Sequence, residues 1–292
     1  MAIEKLDVIS KKEFKALLDR DEPRYVFWDI ETAPLARAEL KYFLDDRKVK
    51  YPKKPGEFDP TKVAYGNRTK PESRAAHLAE ARKKHVLKQR NYQSDCAEAL
   101  EAAHEDLYNK AALNGVTNSV LAIGYGILMA DGSIQVYLDH DDKEAALTRR
   151  MWYMVDSVAM TRGNFFTFNG NGFDLPIMTQ KAWKYNTPHR YLLTKYNKME
   201  DISVDAKVRF QCGNYQQGSS LANVAKFLGV AGKLEGVTGD MFHTMYNNAA
   251  TRSRALEYLW HDIDCLYRVC SKIGVLDTPL EVLKEEERSK ND

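Results

Sequence analysis

The segment RYVFWDIE, residues 24–31, constrains this chain more than any other. Aromatic and β-branched residues fill it and acids close it, the pattern of a strand that enters a core and ends at a polar edge. Successive side chains of a strand alternate faces, so Asp29 and Glu31 point one way and Trp28 and Ile30 the other. Two neighbouring carboxylates repel each other unless a cation sits between them. The end of an apolar strand is also where open α/β sheets bind ligands. A D-x-E triplet arises by chance about once in a chain of this length and charge, so a polar strand end with two solvated acids remains the alternative.

The rest of the chain supplies partners for such a strand. Thr32, Ala33 and Pro34 are expected to break it. Residues 119–138 read as two strands joined at Asp131-Gly132, a hairpin signal. An amphipathic helix is expected over 141–161, a short buried strand over 164–168 (NFFTF), and a helix from Phe173 to about Tyr185. Residues 202–210 suit either a strand or a helix. Ser219 or Ser220 can cap a helix through LANVAKFLG that Gly229 stops. A long helix is expected from about Asn247 to Ile273, followed by a frayed tail at 285–292. This order predicts a mixed α/β sheet flanked by helices, one domain over 1–292, with a charged and largely helical insertion at about 35–114.

The insertion carries fifteen basic residues against six acids between Lys41 and Arg90, interleaved with Tyr42, Phe43, Tyr51, Phe58 and Tyr65. Bases mixed with aromatics suit a surface that tracks a nucleic-acid strand. The same composition suits a solvated helical face. The net charge of the whole chain, +2, decides nothing, because a nuclease gathers acids at its centre and bases around it. The four cysteines, Cys96, Cys212, Cys265 and Cys270, form no C-x-x-C pair and have no histidine at zinc-finger spacing. They are expected to be reduced thiols. No apolar run reaches the roughly 18 residues of a membrane span. The start, MAIEKLDVISKKEF, lacks the apolar stretch of a signal peptide, so a cytoplasmic location is expected.

Two further sites carry chemistry-bearing residues. In Asn169-Gly-Asn-Gly-Phe173-Asp174 a buried strand turns into a helix, and Asp174 falls in the first helical turn, projecting back toward the strand end. An acid at an ordinary helix N-terminus is the simpler reading of that residue alone. In Tyr258-Leu-Trp-His-Asp262, Tyr258 and Asp262 lie four apart on one helix face, as surface pairs often do.

A strand with DxE, a strand–turn–helix with NxxxFD and a late helix with YxxxD, in that order, resemble the DEDD superfamily of 3′→5′ exonucleases on the RNase H-like fold. Tyr258 resembles the tyrosine of the DEDDy branch. The branch that uses histidine has it one position earlier, where this chain has Glu257, so His261 is not a candidate base. SLANVAKFLGV and LNGVTNSVLAIGYG extend the similarity. The insertion resembles that of stand-alone phage and bacterial exonucleases related to the proofreading domain of family B polymerases.

The resemblance implies removal of nucleoside monophosphates from a 3′ end, with two Mg²⁺ or Mn²⁺ ions as cofactors. Asp29 would bridge both ions, Glu31 and Asp262 would hold one, and Asp174 the other. Tyr258 would orient the attacking water. Asn169, Phe173 and the backbone at Thr32 and Ala33 would meet the terminal nucleotide, although Phe173 also suits plain core. Single-stranded DNA is favoured over RNA as partner, a polymerase is a possible second partner, and the setting would be a bacterial or phage-infected cytosol. A silent or partner-dependent binding subunit and an RNase H-like endonuclease are the competing readings. Asp205 and Asp240 are candidate further ligands, although a surface or capping acid is the simpler reading of Asp205; Asp264 faces away from Asp262.

Overall fold

A computed structural model describes residues 8–20, 24–140, 143–189, 202–212, 214, 218–232, 234 and 236–276. The expected frayed tail at 285–292 and the first two residues of the helix expected at 141–161 lie outside the described residues. The chain forms two compact units, Leu35–Ala111 and the remainder, Met1–Pro34 with Ala112–Asp292.

In the larger unit, helix α1 (Lys11–Leu18) precedes strand β1 (Tyr25–Pro34). After the inserted unit come β2 (Asn118–Leu128), β3 (Ile134–Asp139), a long helix Glu144–Met160, β4 (Asn164–Thr167), a helix Asp174–Lys184 and β5 (Ser203–Asp205). The strands form one mixed sheet of order β3-β2-β1-β4-β5. The β1–β2 and β2–β3 pairs are antiparallel, while β4 runs parallel to β1 and β5 parallel to β4. With helices over both faces and the insertion after its first strand, this is the RNase H-like architecture expected from the sequence.

In the inserted unit, α2 (Arg37–Leu40) precedes α3 (Pro71–Ala111), a helix of 41 residues. Between them residues 44–70 run mostly without regular structure, broken by single 3₁₀ turns. The helical character expected across the whole insertion is thus concentrated in its second half. The first half holds Pro52, Pro55 and Pro60 with Gly56, which deny the backbone a helical ladder.

The remaining helices of the larger unit take the labels α4 (Glu144–Met160), α5 (Asp174–Lys184), α6 (Ala206–Phe210), α7 (Leu221–Leu228), α8 (Gly239–Tyr246) and α9 (Arg252–Lys272). Three expectations are refined. Thr32–Pro34 do not break β1; the strand continues through them, and its pairing with β2 slips by one residue between Glu31 and Thr32. The irregularity lies before Thr32, and from there pairing runs regularly to Pro34 opposite Asn118. Residues 202–210 are both options in turn, since β5 passes straight into α6 at Asp205. The last helix starts at Arg252 rather than Asn247, because Asn248 forms a turn instead, its side chain accepting from the Ala250 N–H at 3.0 Å.

β1 is the middle strand, and both of its faces are covered. Val26, Trp28 and Ile30 pack with Leu147, Met151 and Trp152 of α4 and with Leu175 and Met178 of α5. Phe27 packs on the other side with Leu259, Ile263 and Leu266 of α9. Burying side chains of this size stabilises the fold by roughly 1.5–3 kcal/mol each. Asp29 and Glu31 share the face of Phe27, so they point toward α9.

Two glycines of β2 let α9 approach. Gly124 lies directly opposite Asp29 in the ladder. A Cβ at Gly124 would lie 2.8 Å from Cγ1 of Ile263 and 3.1 Å from Cδ1 of Leu259, and one at Gly126 would lie 2.7 Å from Cγ2 of Ile263. Any side chain there pushes α9 away from the sheet. Gly124→Ala is expected to destabilise the protein by about 1–3 kcal/mol. In an Ile263→Ala background most of that cost should vanish, a coupling that urea unfolding of the four proteins of the cycle measures.

Candidate active site

The approach of α9 delivers Asp262, the neighbour of Ile263, to the acids of β1. Asp29, Glu31 and Asp262 each offer a carboxylate oxygen, and these oxygens all lie within 4.8 Å of one another. Glu31 and Asp262 are buried, and Asp29 is half-buried. Carboxylates gathered out of water at this spacing repel strongly, and a hard divalent cation is the species that such an all-oxygen set fits.

Asp174 joins the cluster from a third direction. It opens α5 and is buried, and its Oδ1 accepts a hydrogen bond from the Ile30 N–H at 3.3 Å. Its carboxyl is held well above the ordinary carboxylate range, first by burial and then by the charge of Asp29, to which it is also hydrogen bonded. The Ile30 N–H pulls the other way and loses. Asp29 is therefore the common member, facing Glu31 and Asp262 on one side and Asp174 on the other.

The turn that presents Asp174 is braced by a residue whose part the sequence did not disclose. One oxygen of Asp205 accepts from the Asn169 N–H at 2.9 Å and from the Lys207 N–H at 3.0 Å, and the other accepts from the Asn171 N–H at 3.1 Å. Asp205 is thus a capping acid, as expected, but buried rather than on the surface, and it ties β5, α6 and the 169–171 turn together. Asn169 takes a left-handed conformation, φ 69°. Gly170 is required by space, since a Cβ there would fall 2.2 Å from the hydroxyl oxygen of Thr167.

Beside Asp29 lies an open cleft of about 260 Å³, lined by Phe168, Asn169, Lys207, Ser219, Ser220 and Leu221. The Lys207 ammonium donates to Oδ1 of Asn169 at 3.1 Å. Among the residues that line this cleft Lys207 is the cation available to a phosphate, and in the sequence it is one lysine among many.

A family model described as "Predicted 3'-5' exonuclease related to the exonuclease domain of PolB" matches residues 113–290. The chain belongs to this family. The matched segment contains Asp174, Tyr258 and Asp262, whereas Asp29 and Glu31 precede it and join the same cluster only through the fold. Among solved structures, the family B DNA polymerase of the hyperthermophilic archaeon Pyrobaculum calidifontis is similar over 56% of this chain, with 17% identity and a TM-score of 0.46. The chain spans 23% of that polymerase chain. A search of the curated proteins finds no match.

Tyr258 is buried beneath α8, its ring centroid 6.4 Å from that of Phe242. A Cβ on Gly239 would lie 3.6 Å from its hydroxyl, so the start of α8 stands close over it. Phe173 packs against the core on the α5 side, while Phe168 lines the cleft. Thr32 uses its hydroxyl to donate to the Ala112 carbonyl at 2.8 Å, and the Ala33 side chain is buried. Asp240 is exposed in the first turn of α8, and Asp264 is ion-paired with Arg268 at 2.7 Å, so neither belongs to the cluster. Among the described residues, no helix is long and apolar enough to cross a membrane.

The raised Asp174 carboxyl has a signed consequence. Its contribution to the stability of the metal-free protein is fully present below the ordinary carboxylate range and is lost as pH rises through its raised folded value. In EDTA the protein should lose stability as pH rises above the ordinary carboxylate range, and Asp174→Asn should flatten that loss and raise Tm at the alkaline end. Thermal melts across the range check this; parallel curves for the two proteins would contradict it.

Proposed function

We propose that this protein is a metal-dependent 3′→5′ exonuclease that releases nucleoside monophosphates from the 3′ end of single-stranded DNA. The observation that carries this reading is the convergence of Asp29, Glu31, Asp174 and Asp262 from one strand and two helices beside a cleft that holds a lysine. Membership of a family of predicted 3′-5′ exonucleases supports the same direction of attack.

Asp29, Glu31 and Asp262 are the residues to hold one Mg²⁺ or Mn²⁺ ion, and Asp174 with Asp29 a second. The ions, when bound, supply Lewis acidity and charge neutralisation at the scissile phosphate. The protein's part is geometric. Asp205 fixes the turn that carries Asn169 and aims Asp174. Lys207 offers a cation to a phosphate lying in the cleft, and Asn169 a side-chain amide to the terminal nucleotide. Tyr258 stands one helical turn before Asp262 on the same face of α9 and orients the attacking water. A free tyrosine keeps its proton at neutral pH, so the role proposed for Tyr258 is positioning. The backbone at Thr32 and Ala33, beyond the slip in the β1–β2 ladder, faces the terminal sugar. Phe173 supports the site from the core. The relation of the family to the exonuclease domain of PolB makes a polymerase the partner class to test by co-purification.

The test uses 5′-labelled single-stranded DNA, its RNA counterpart and a closed circular single strand, each with Mg²⁺, Mn²⁺ or EDTA. A ladder shortening from the 3′ end is expected with metal only, with DNA preferred and the circle resistant. Asp29→Ala should lower the rate by at least about 10³-fold, and Tyr258→Phe should slow cleavage without shifting the metal concentration needed. Cleavage of the circle would assign an endonuclease, and an unchanged rate in Asp29→Ala would remove the site.

A further inference from the structure

Lys41–Arg90, with fifteen bases and six acids, carries +9 in a chain whose total is +2, so the other 242 residues carry −7. Three of the six acids are engaged locally, Asp45 with Arg47, Asp59 with Lys62 and Glu80 with Lys84. Lys48, Lys50, Lys53, Lys54, Lys83, Lys88 and Arg90 are exposed and form no ion pair among the described residues. The positive field stops within α3 itself. Beyond Arg90 that helix carries Asp95, Glu98, Glu101, Glu105 and Asp106 against the single base Lys110.

The basic stretch is held in place along α3. The Gly56 carbonyl meets His85 Nε2 at 3.0 Å and accepts from Gln89 Nε2 at 3.1 Å, and the Ala64 carbonyl meets His77 Nε2 at 3.2 Å. The Phe58 ring meets His85 at a tilt and has the Arg82 guanidinium 5.5 Å from its centroid, and Tyr65 meets His77 edge-on. Lys53 and Lys54 therefore stand two or three residues from an anchored point. The aromatics divide into two sets. Phe58 and Tyr65 pin this stretch to the helix, while Tyr42 is 89% exposed and Phe43 and Tyr51 are each 44% exposed. An open groove on α3 has Leu78, Ala79 and Val86 in its lining together with Arg82, Lys83 and Arg90.

We infer that the inserted unit carries a nucleic-acid surface of its own over Lys41–Arg90, one that takes the phosphates and bases of a single strand separately from the carboxylate cluster. Ammonium and guanidinium groups without acid partners exchange counterions for phosphates. Bare aromatic rings among them give bases a stacking face. An apolar groove with cationic sides accommodates both parts of a nucleotide. A second copy of the same basic face is repelled by it, and the acidic end of α3 confines the strand to the Lys41–Arg90 stretch. The inference rests on the exonuclease reading for the identity of the polyanion.

The test measures binding of a fluorescent 30-residue oligodeoxythymidylate to the full-length protein in EDTA, at several salt concentrations. A charge variant carries Lys53→Gln, Lys54→Gln, Lys83→Gln and Lys88→Gln; a ring variant carries Tyr42→Ala and Tyr51→Ala. The charge variant should bind more weakly, with a slope of log K on log salt reduced by about 3, since each lost phosphate contact on a single strand removes about 0.7. The ring variant should lose at least about fivefold in affinity and keep its salt slope. Both should hydrolyse a chromogenic ester of thymidine 5′-monophosphate with Mn²⁺ as the parent protein does, because a mononucleotide is too short to use a second surface. Parent affinity and slope in the charge variant would overturn the inference. So would a parent protein that sediments as a dimer and a charge variant that sediments as a monomer with unchanged DNA affinity, which would give the surface to a second copy. A parent protein that hydrolyses neither ester nor strand, yet binds the oligonucleotide in a manner the charge variant weakens, would support the surface and remove the exonuclease reading instead.

Discussion

The close seating of α9 on the sheet is the contact on which the carboxylate cluster depends. Asp262 reaches Asp29 and Glu31 only because its neighbour Ile263 settles into the space left by Gly124 and Gly126, and Gly124 is the residue paired with Asp29 across the ladder. Helix–sheet distance in a packed core is set by the side chains between the layers, and here the layer is thinned to nothing at two positions. A displacement of one methyl group at β2 would act directly on the spacing of the acids, although β2 contributes none of them.

The cluster itself works against the stability of the fold. Burial and the charge of Asp29 both oppose ionisation of Asp174, while the backbone N–H groups of Ile30 and of Asp174 itself favour it. The surroundings hold the arrangement in spite of that repulsion. Asp205 gathers three backbone N–H groups and so fixes the turn before α5, and the core around Trp28 and Phe27 leaves β1 no room to withdraw. Carboxylates that repel one another in this way are stabilised by any divalent cation that binds among them.

The inserted unit follows a different physical logic. Its long helix has few buried side chains and is clad on one side by an irregular stretch pinned through His77, His85 and Gln89. Its charges are sorted along the chain, bases first and acids last, which random solvation does not require. The inserted unit carries a net +5 and the larger unit −3, so the small net charge of the whole chain conceals the strongly basic stretch Lys41–Arg90.

The sequence by itself determined the alternating face of β1, the hairpin at Asp131-Gly132, the Ser220 cap and Gly229 stop of α7, and the family pattern of DxE, NxxxFD and YxxxD, because each is written in short-range periodicity or turn chemistry. It also contained a signal that went unread, the Ser10–Glu13 capping box that starts α1. Only the tertiary structure decided that Thr32–Pro34 continue β1, since pairing with β2 outweighs a local proline at its end. It alone showed Asp205 as the brace of the turn and Lys207 as the cation beside Asp29. Those assignments depend on which residues meet across 36 and 178 positions of chain, and nothing local to an aspartate or a lysine records its distant neighbour.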